Sequence, residues 1–291
     1  MPQPPTTEPP YKIVRLANGT HSVHSSAERE TFHPVIGPMA EAEALYVKQL
    51  KLRERLARLE GEFVLWDVGL GAAANVLTTL RATRTLPCPL RILSFDKTLE
   101  PLRFALGHAD ELGFIEGYAS QVKTLLDAGE VRFVEESRTV HWELHLGDFP
   151  KLLQNTAGKT ALPAPHAILF DAFSPAKNPA MWTAPLFADL FRRLDPARPC
   201  AMPTYSRSTM LRVTLLLAGF YVGIGHATGE KEETTIAANQ LSLLEEPLPR
   251  SWLNRARRSK SAEPMWQAEY RQAPLAASTW EALQSHPQFQ L

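Results

Sequence analysis

Four acidic residues stand where an apolar, strand-like run gives way to a turn. They are Asp67 in FVLWDV, Asp96 after LRILSF, Asp148 after Gly147, and Asp171 in HAILFDAF. A carboxylate at such a point can accept hydrogen bonds from ribose hydroxyls or an amino group, or hold a cation. Gly69 and Gly71 follow Asp67 and let the backbone turn tightly and approach a ligand. Ala74 is a third small residue that allows close helix–strand packing. The run approximates G-x-G-x-x-G/A, and is equally compatible with a plain strand–helix turn. Asp96 suits both hydroxyls of a ribose or the cap of the next helix. Asp148 suits an adenine amino group or the cap of a helix beginning at Phe149. Together these ends fit a nucleoside ligand and leave a dinucleotide and S-adenosylmethionine both open.

The fourth end reads Asp171-Ala-Phe173-Ser-Pro175-Ala-Lys177-Asn178-Pro179-Ala-Met181-Trp182. Two prolines stiffen this loop, and it presents Asp, Lys and Asn where a substrate would meet a cofactor. The alternative is a capped turn with a solvated lysine. A metal site has weaker support. His141 and His145 form the one H-x-x-x-H, but on a strand they lie roughly 13 Å apart at about 3.3 Å per residue. One ion at about 2 Å from each cannot bridge that. No metal is expected.

The elements that must position these residues alternate in type. Strands are expected at 63–68, 90–95, 140–146 and 166–173, and at 200–206, where Pro203 argues against a central place in the sheet. Helices are expected after the glycine turn to about 83 and at 98–111, 117–128, 180–193 and 208–218. Residues 220–225 and 233–238 read as a closing antiparallel pair. Strands alternating with helices predict an α/β fold with a mostly parallel, seven-stranded sheet covered by helices on both faces. Before it, YKIVRL and Asn18-Gly19 predict a hairpin, and residues 39–60 have the apolar spacing of one amphipathic helix.

Composition narrows the class. The chain has 291 residues, 44% hydrophobic, with 31 basic and 31 acidic side chains. That supports a sizeable core and excludes a globally basic nucleic-acid binder, though not a local basic patch. Two cysteines, Cys88 and Cys200, exclude a disulfide scaffold. No apolar run reaches the roughly 20 residues of a membrane span, and MPQPPTTEPP lacks a signal peptide's apolar stretch. A cytoplasmic protein without membrane partners is expected. Four stretches follow: a disordered proline-rich tail (1–10), a hairpin and helix extension (11–60), a central domain (61–245) and a basic extension (246–291). The last holds Arg250, Arg255, Arg257, Arg258 and Lys260 around Trp252, a surface for RNA or a solvated tail.

The sequence resembles the methyltransferase domain of MnmC-type tRNA-modifying enzymes. The resemblance is carried by Gly69-Leu70-Gly71 with Asn75, Ser94 with Asp96, Gly147-Asp148, and above all DAFSPAKNPAMW at 171–182. Tyr205-Ser206, Arg212, Ala218-Gly219-Phe220, and Gly229 with Lys231 and Glu233 extend it over roughly 11–240. It implies a class I, Rossmann-like methyltransferase fold using S-adenosyl-L-methionine, held by Asp67, Gly69, Gly71, Asn75, Asp96 and Asp148. It implies methyl transfer to the aminomethyl group of a tRNA wobble uridine, with Asp171 the catalytic carboxylate beside Lys177 and Asn178. Phe173, Tyr205, Arg255, Arg257 and Arg258 are the candidate substrate and RNA contacts. The sequence departs from the family's pattern at two places. Asp67 stands for Glu, keeping the charge with a shorter reach, and Ala72-Ala73 stand for Thr-Gly, narrowing the backbone's freedom.

An alkylamine acceptor with a pKa near lysine's roughly 10.4 is protonated at neutral pH and has no lone pair to attack with. Asp171 would orient it and help remove the proton, and in-line positioning would do the rest. Two other readings compete: a nicotinamide-dependent oxidoreductase using the glycine turn, and a non-catalytic RNA-binding module on the same fold. A chain with methyltransferase activity alone is expected, with a separate oxidoreductase or aminomethyl-forming complex supplying its substrate.

Overall fold

The computed structural model describes residues 9–154, 162–229 and 232–290. The stretch 1–8 and Lys231 lie outside them. Three short strands open the chain, β1 (Tyr11–Arg15), β2 (His21–Ser25) and β3 (Glu30–Thr31), and form an antiparallel sheet. The main sheet holds β4 (Phe63–Val68), β5 (Leu90–Asp96), β6 (Glu130–Glu135), β7 (Arg138–Leu146), β8 (Ala167–Phe170), β9 (Ala201–Thr204), β10 (Tyr221–Gly225) and β11 (Thr234–Ala238). Its order is β10-β11-β9-β8-β4-β5-β7-β6. Strands β7, β5, β4, β8 and β9 run parallel, and β11 runs antiparallel between β9 and β10.

All six residues of β4 are buried, as a central parallel strand requires. Its alternating side chains feed two cores. Phe63 and Leu65 face one with Leu77, Leu80 and Ile92. Val64, Trp66 and Val68 face the other with Phe95, Phe170 and Phe187. Asp67 therefore points to the first face, towards the helix Ala74–Thr83 that the glycine turn starts.

The α/β class is as the strand–helix alternation predicts, with three local differences. The sheet has eight strands rather than seven, because β6 pairs antiparallel with β7 along its whole length. EVRFVE is half charged, which hid an edge strand with one solvated face. Pro203 does lie in a central strand. The ladder from β8 to β9 holds only the pair Ala167–Ala201, so the missing N–H at 203 costs no bond on that side. Residues 39–60 are not one helix. A short helix (Pro38–Ala42) passes into a π turn (Glu43–Lys48), Lys51 is left-handed, and Leu52–Arg58 resumes. The wider turn lets consecutive Leu45, Tyr46 and Val47 all face inward, which a 3.6-residue period does not.

Residues from 246 onward pack on the sheet. Leu248, Trp252, Leu253, Met265, Leu283 and Phe289 join the second core. The Gln288 amide closes the arrangement. It accepts from Val222 N at 2.8 Å and donates to the carbonyls of Val222 (2.8 Å) and Leu248 (3.0 Å). Among the described residues no helix is long and apolar enough to cross a membrane.

Candidate active site

The carboxyl ends of β4, β5 and β8 meet on one side of the sheet. After β4 the backbone reverses through Gly69 (φ +94°) and Gly71 (φ +51°). A Cβ at Gly69 would lie 2.6 Å from the Asp171 carbonyl oxygen. The glycine turn and the Asp171 loop thus touch through their backbones, and no other residue fits at 69. Ala73 caps the helix Ala74–Thr83 at φ 64°. An L-residue there is strained.

Asp67 is 1% exposed. Its Oδ2 accepts from the Ser94 hydroxyl at 2.7 Å, and the Trp142 indole N–H donates to the same hydroxyl at 2.9 Å. Its Oδ1 has no hydrogen-bond partner. Burial pushes its carboxyl up to about 7 against the pull of Ser94, and Asp171 and Asp96 push the same way. An orphaned acceptor this deep costs free energy until a donor or cation reaches it. The ammonium of a methionyl group is such a partner.

Asp96 braces its neighbours. Oδ2 accepts from Gly71 N at 3.0 Å, and Oδ1 accepts from Lys97 N at 2.7 Å and Thr98 N at 3.2 Å. Burial raises its pKa, opposed by those N–H groups. An ionised carboxylate has about four acceptor positions, and three are filled. One remains for a ribose hydroxyl, where the sequence suggested room for two. Asp148 faces Lys97 across 3.4 Å.

Asp171 is reached from both sides. Asn75, on the helix after the glycine turn, donates to its Oδ2 at 2.8 Å, while the Asn75 carbonyl oxygen is buried without a partner. His33 Nε2 stands 3.6 Å from the same Oδ2, and His33 Nδ1 stands 3.9 Å from Glu41 Oε1. Burial alone would lower the imidazole's pKa, but Asp171 and Glu41 outweigh it and raise it. Three aromatic side chains hold the loop by its carbonyls. Tyr46 donates to Phe170 O (3.1 Å), Tyr205 to Ala172 O (3.1 Å) and Trp182 to Phe173 O (2.7 Å). The Ser174 hydroxyl donates to Glu30 at 2.5 Å. The Phe173 ring meets Phe32 with centroids 5.6 Å apart, and Phe32 also lies over Gly71.

The structure thus gathers Asp67, Gly69, Gly71, Asn75, Asp96, Asp171, Phe173 and Tyr205. Lys177 does not join them. It is exposed on the outer turn of the loop, and among the described residues it has no ion pair. Asn178 precedes the 3-10 turn Pro179–Trp182 and its side chain makes no capping bond. The basic helix Trp252–Arg258 is anchored by buried Trp252, Leu253 and Ala256. Arg255 pairs with Glu233 at 3.7 Å, Arg257 lies over Trp280, and Arg258 donates to Asn254 O. His141 pairs with Glu130 at 2.7 Å. Among the described residues no three His, Cys, Asp or Glu side chains are grouped to hold a metal ion.

Glu30, Phe32, His33, Glu41 and Tyr46 escaped the sequence reading. They come from the N-terminal strands and the broken helix, up to 144 residues from their partners, and form no local motif. Only the crowding of chemistry-bearing residues in ERETFH and MAEAEALY marked them.

Residues 114–240 match a family described as S-adenosyl-L-methionine-dependent methyltransferase. The bifunctional tRNA 5-methylaminomethyl-2-thiouridine biosynthesis protein MnmC of Aeromonas hydrophila is 31% identical over 211 residues, 67% of this chain and 30% of that protein. Its Burkholderia mallei counterpart is 30% identical over 223 residues, 72% of this chain and 32% of that protein. The chain therefore spans about a third of the length of these curated relatives. The crystal structure of MnmC2 from Aquifex aeolicus covers 96% of this chain and 84% of its own, with TM-score 0.69 at 21% identity, and so shares the fold. The chain belongs to the S-adenosyl-L-methionine-dependent methyltransferases, in the MnmC type.

Proposed function

We propose that this MnmC-type methyltransferase transfers a methyl group to the aminomethyl group of a wobble uridine in tRNA. The observation that carries the reading is the Asn75–Asp171 hydrogen bond of 2.8 Å, which ties an acceptor-side carboxylate to the helix that starts at the cofactor turn. The cofactor supplies an electrophilic methyl group on a sulfonium. The residues suited to hold it are Asp67 at the methionyl ammonium, Gly69 and Gly71 beneath it, Asp96 at the ribose and Asp148 nearer the base. Asp171 orients the acceptor's ammonium and draws off its proton, which frees the lone pair. Phe173 and Tyr205 wall the acceptor side. Lys177, Asn178 and the arginines at 255, 257 and 258 meet the RNA outside it. The relatives' names speak of tRNA 5-methylaminomethyl-2-thiouridine, and the same substrate class is proposed here.

The test is incubation with labelled S-adenosylmethionine and tRNA bearing the free aminomethyl nucleoside, followed by nucleoside analysis. Label is expected in the methylaminomethyl form. Asp171→Asn should keep cofactor binding and lose at least about 100-fold in turnover, the lower range for a positioned acid–base group. Tight tRNA binding by the wild type without label transfer would instead favour a non-catalytic RNA-binding module.

A further inference from the structure

His33 belongs to no motif, yet it lies between two carboxylates beside the candidate acceptor site. Its side chain is 9% exposed, with Nε2 3.6 Å from Asp171 and Nδ1 3.9 Å from Glu41. Its backbone is left-handed at φ 48°, an arrangement that persists only where the surroundings impose it. Phe32 before it is seated on Gly71 and Phe173, so the ring cannot drift. Base, imidazole and orienting carboxylate in a row is the arrangement by which a histidine takes up a proton in acid–base catalysis.

We propose that His33 is the proton acceptor behind Asp171, held in orientation by Glu41. This rests on the proposed amine methylation. The acceptor's ammonium gives its proton to Asp171 Oδ2, and the proton passes to His33 Nε2. Asp171 is again a carboxylate, and His33 becomes an imidazolium between Asp171 and Glu41. The amine nitrogen then forms a bond to the methyl carbon. The carbon–sulfur bond breaks, its electron pair goes to sulfur, and the sulfonium becomes a neutral thioether. The secondary ammonium product departs and His33 releases its proton to water. His33 acts through Asp171 and is a positioning and relay residue rather than a catalytic one. The other titratable groups around the pair are Glu30, Tyr46, Asp67 and Tyr205. Glu30 accepts from the Ser174 hydroxyl. Asp67, pushed up to about 7 in the free protein, faces the cofactor's ammonium at saturation, so kcat taken with saturating S-adenosylmethionine separates it from His33. Burial pushes both tyrosines upward, so neither competes for the proton near neutrality.

The role fixes the sign of a pH dependence. An imidazole that accepts a proton must start neutral, so turnover rises with pH to a plateau at the His33 pKa. An imidazolium needed only as a counter-ion would make turnover fall over the same range. The experiment measures kcat from pH 6 to 9 for the wild type, His33→Gln and Glu41→Gln, and follows the His33 ring by NMR titration in the wild type, Asp171→Asn and Glu41→Gln. The expected result is a rise and plateau in the wild type. In His33→Gln kcat should fall at least tenfold, KM for S-adenosylmethionine should be unchanged, and the plateau should be replaced by a climb continuing to pH 9. The His33 pKa should drop in both carboxamide variants. A wild-type profile that falls with pH, or a plateau kept in His33→Gln, overturns the proposal. If His33→Gln does not fold, Glu41→Gln and the titrations decide, and an unmoved His33 pKa overturns it. If the wild type methylates no aminomethyl tRNA at any pH, the proposed function fails, while the titrations still show whether His33 is coupled to Asp171 and Glu41.

Discussion

Replacing Asp67 by Asn should stabilise the cofactor-free protein, and more so at higher pH. The side chain is fully buried with one oxygen unpartnered, and its pKa rises from 3.8 to about 7. Between those values the native carboxyl keeps a proton that the unfolded chain has lost. The native state then binds more protons, so stability falls as pH rises through the window and the penalty is complete above about pH 7. At 1.36 kcal/mol per unit, a shift of about three units corresponds to about 4 kcal/mol. Of this, about 2–3 kcal/mol accrues between pH 5 and pH 8. Asn is uncharged throughout and keeps an acceptor for Ser94. Urea unfolding of both proteins at pH 5 and pH 8, without cofactor, measures the difference between them. Titrations not coupled to Asp67 cancel in that difference, and relief of Asp96 and Asp171 from its charge acts in the same direction. The advantage of Asp67→Asn should grow by about 2–3 kcal/mol from the lower to the higher pH. A pH-independent difference would refute the buried, ionising Asp67. The same variant should bind S-adenosylmethionine more weakly, since the neutral amide cannot balance an ammonium.

Two further outcomes are expected. Asp96→Ala should weaken S-adenosylmethionine binding about tenfold or more by calorimetry, at about 1.5–3 kcal/mol for a hydrogen bond to a charged group. It should also lower the melting temperature, because Gly71, Lys97 and Thr98 lose their acceptor; full affinity in a folded variant would rule out the ribose role. Replacing Arg255, Arg257 and Arg258 together should weaken tRNA binding and flatten its salt dependence, because fewer counterions are released. An unchanged salt slope would leave the stretch without an RNA role, and cofactor affinity should stay the same either way.

The candidate cofactor side was readable because most of its groups sit at or just after the end of a strand that announces itself. FVLWDV and LRILSF are apolar runs cut off by Gly or Asp, and their ends fall together once the sheet is parallel. The acceptor side was half readable. The 171–182 loop carries its own residues, but the groups facing it come from the N-terminal sheet and from a helix broken by a π turn. Neither hydrophobic period nor spacing brings Glu41 or His33 to Asp171. The basic C-terminal stretch reads as solvated by composition. Its few apolar residues, spaced through Trp252, Leu253 and Ala256, are what bury it. Local pattern is strong where a single segment places a residue and weak where tertiary packing does.

The three aromatic clamps on the Asp171 loop bear on how this site can change over generations. Tyr46, Tyr205 and Trp182 hold carbonyl groups at 170, 172 and 173, and a carbonyl is present whatever side chain the residue carries. The loop's path is thereby decoupled from the side chains it displays. Mutation at a displayed position such as 173 can try a new acceptor chemistry without rebuilding the scaffold, whereas mutation at 46, 182 or 205 releases the loop. Inheritance of the fold and innovation in the substrate are assigned to different residues. A library seeking new acceptors gains most by varying the displayed positions and leaving the clamps alone.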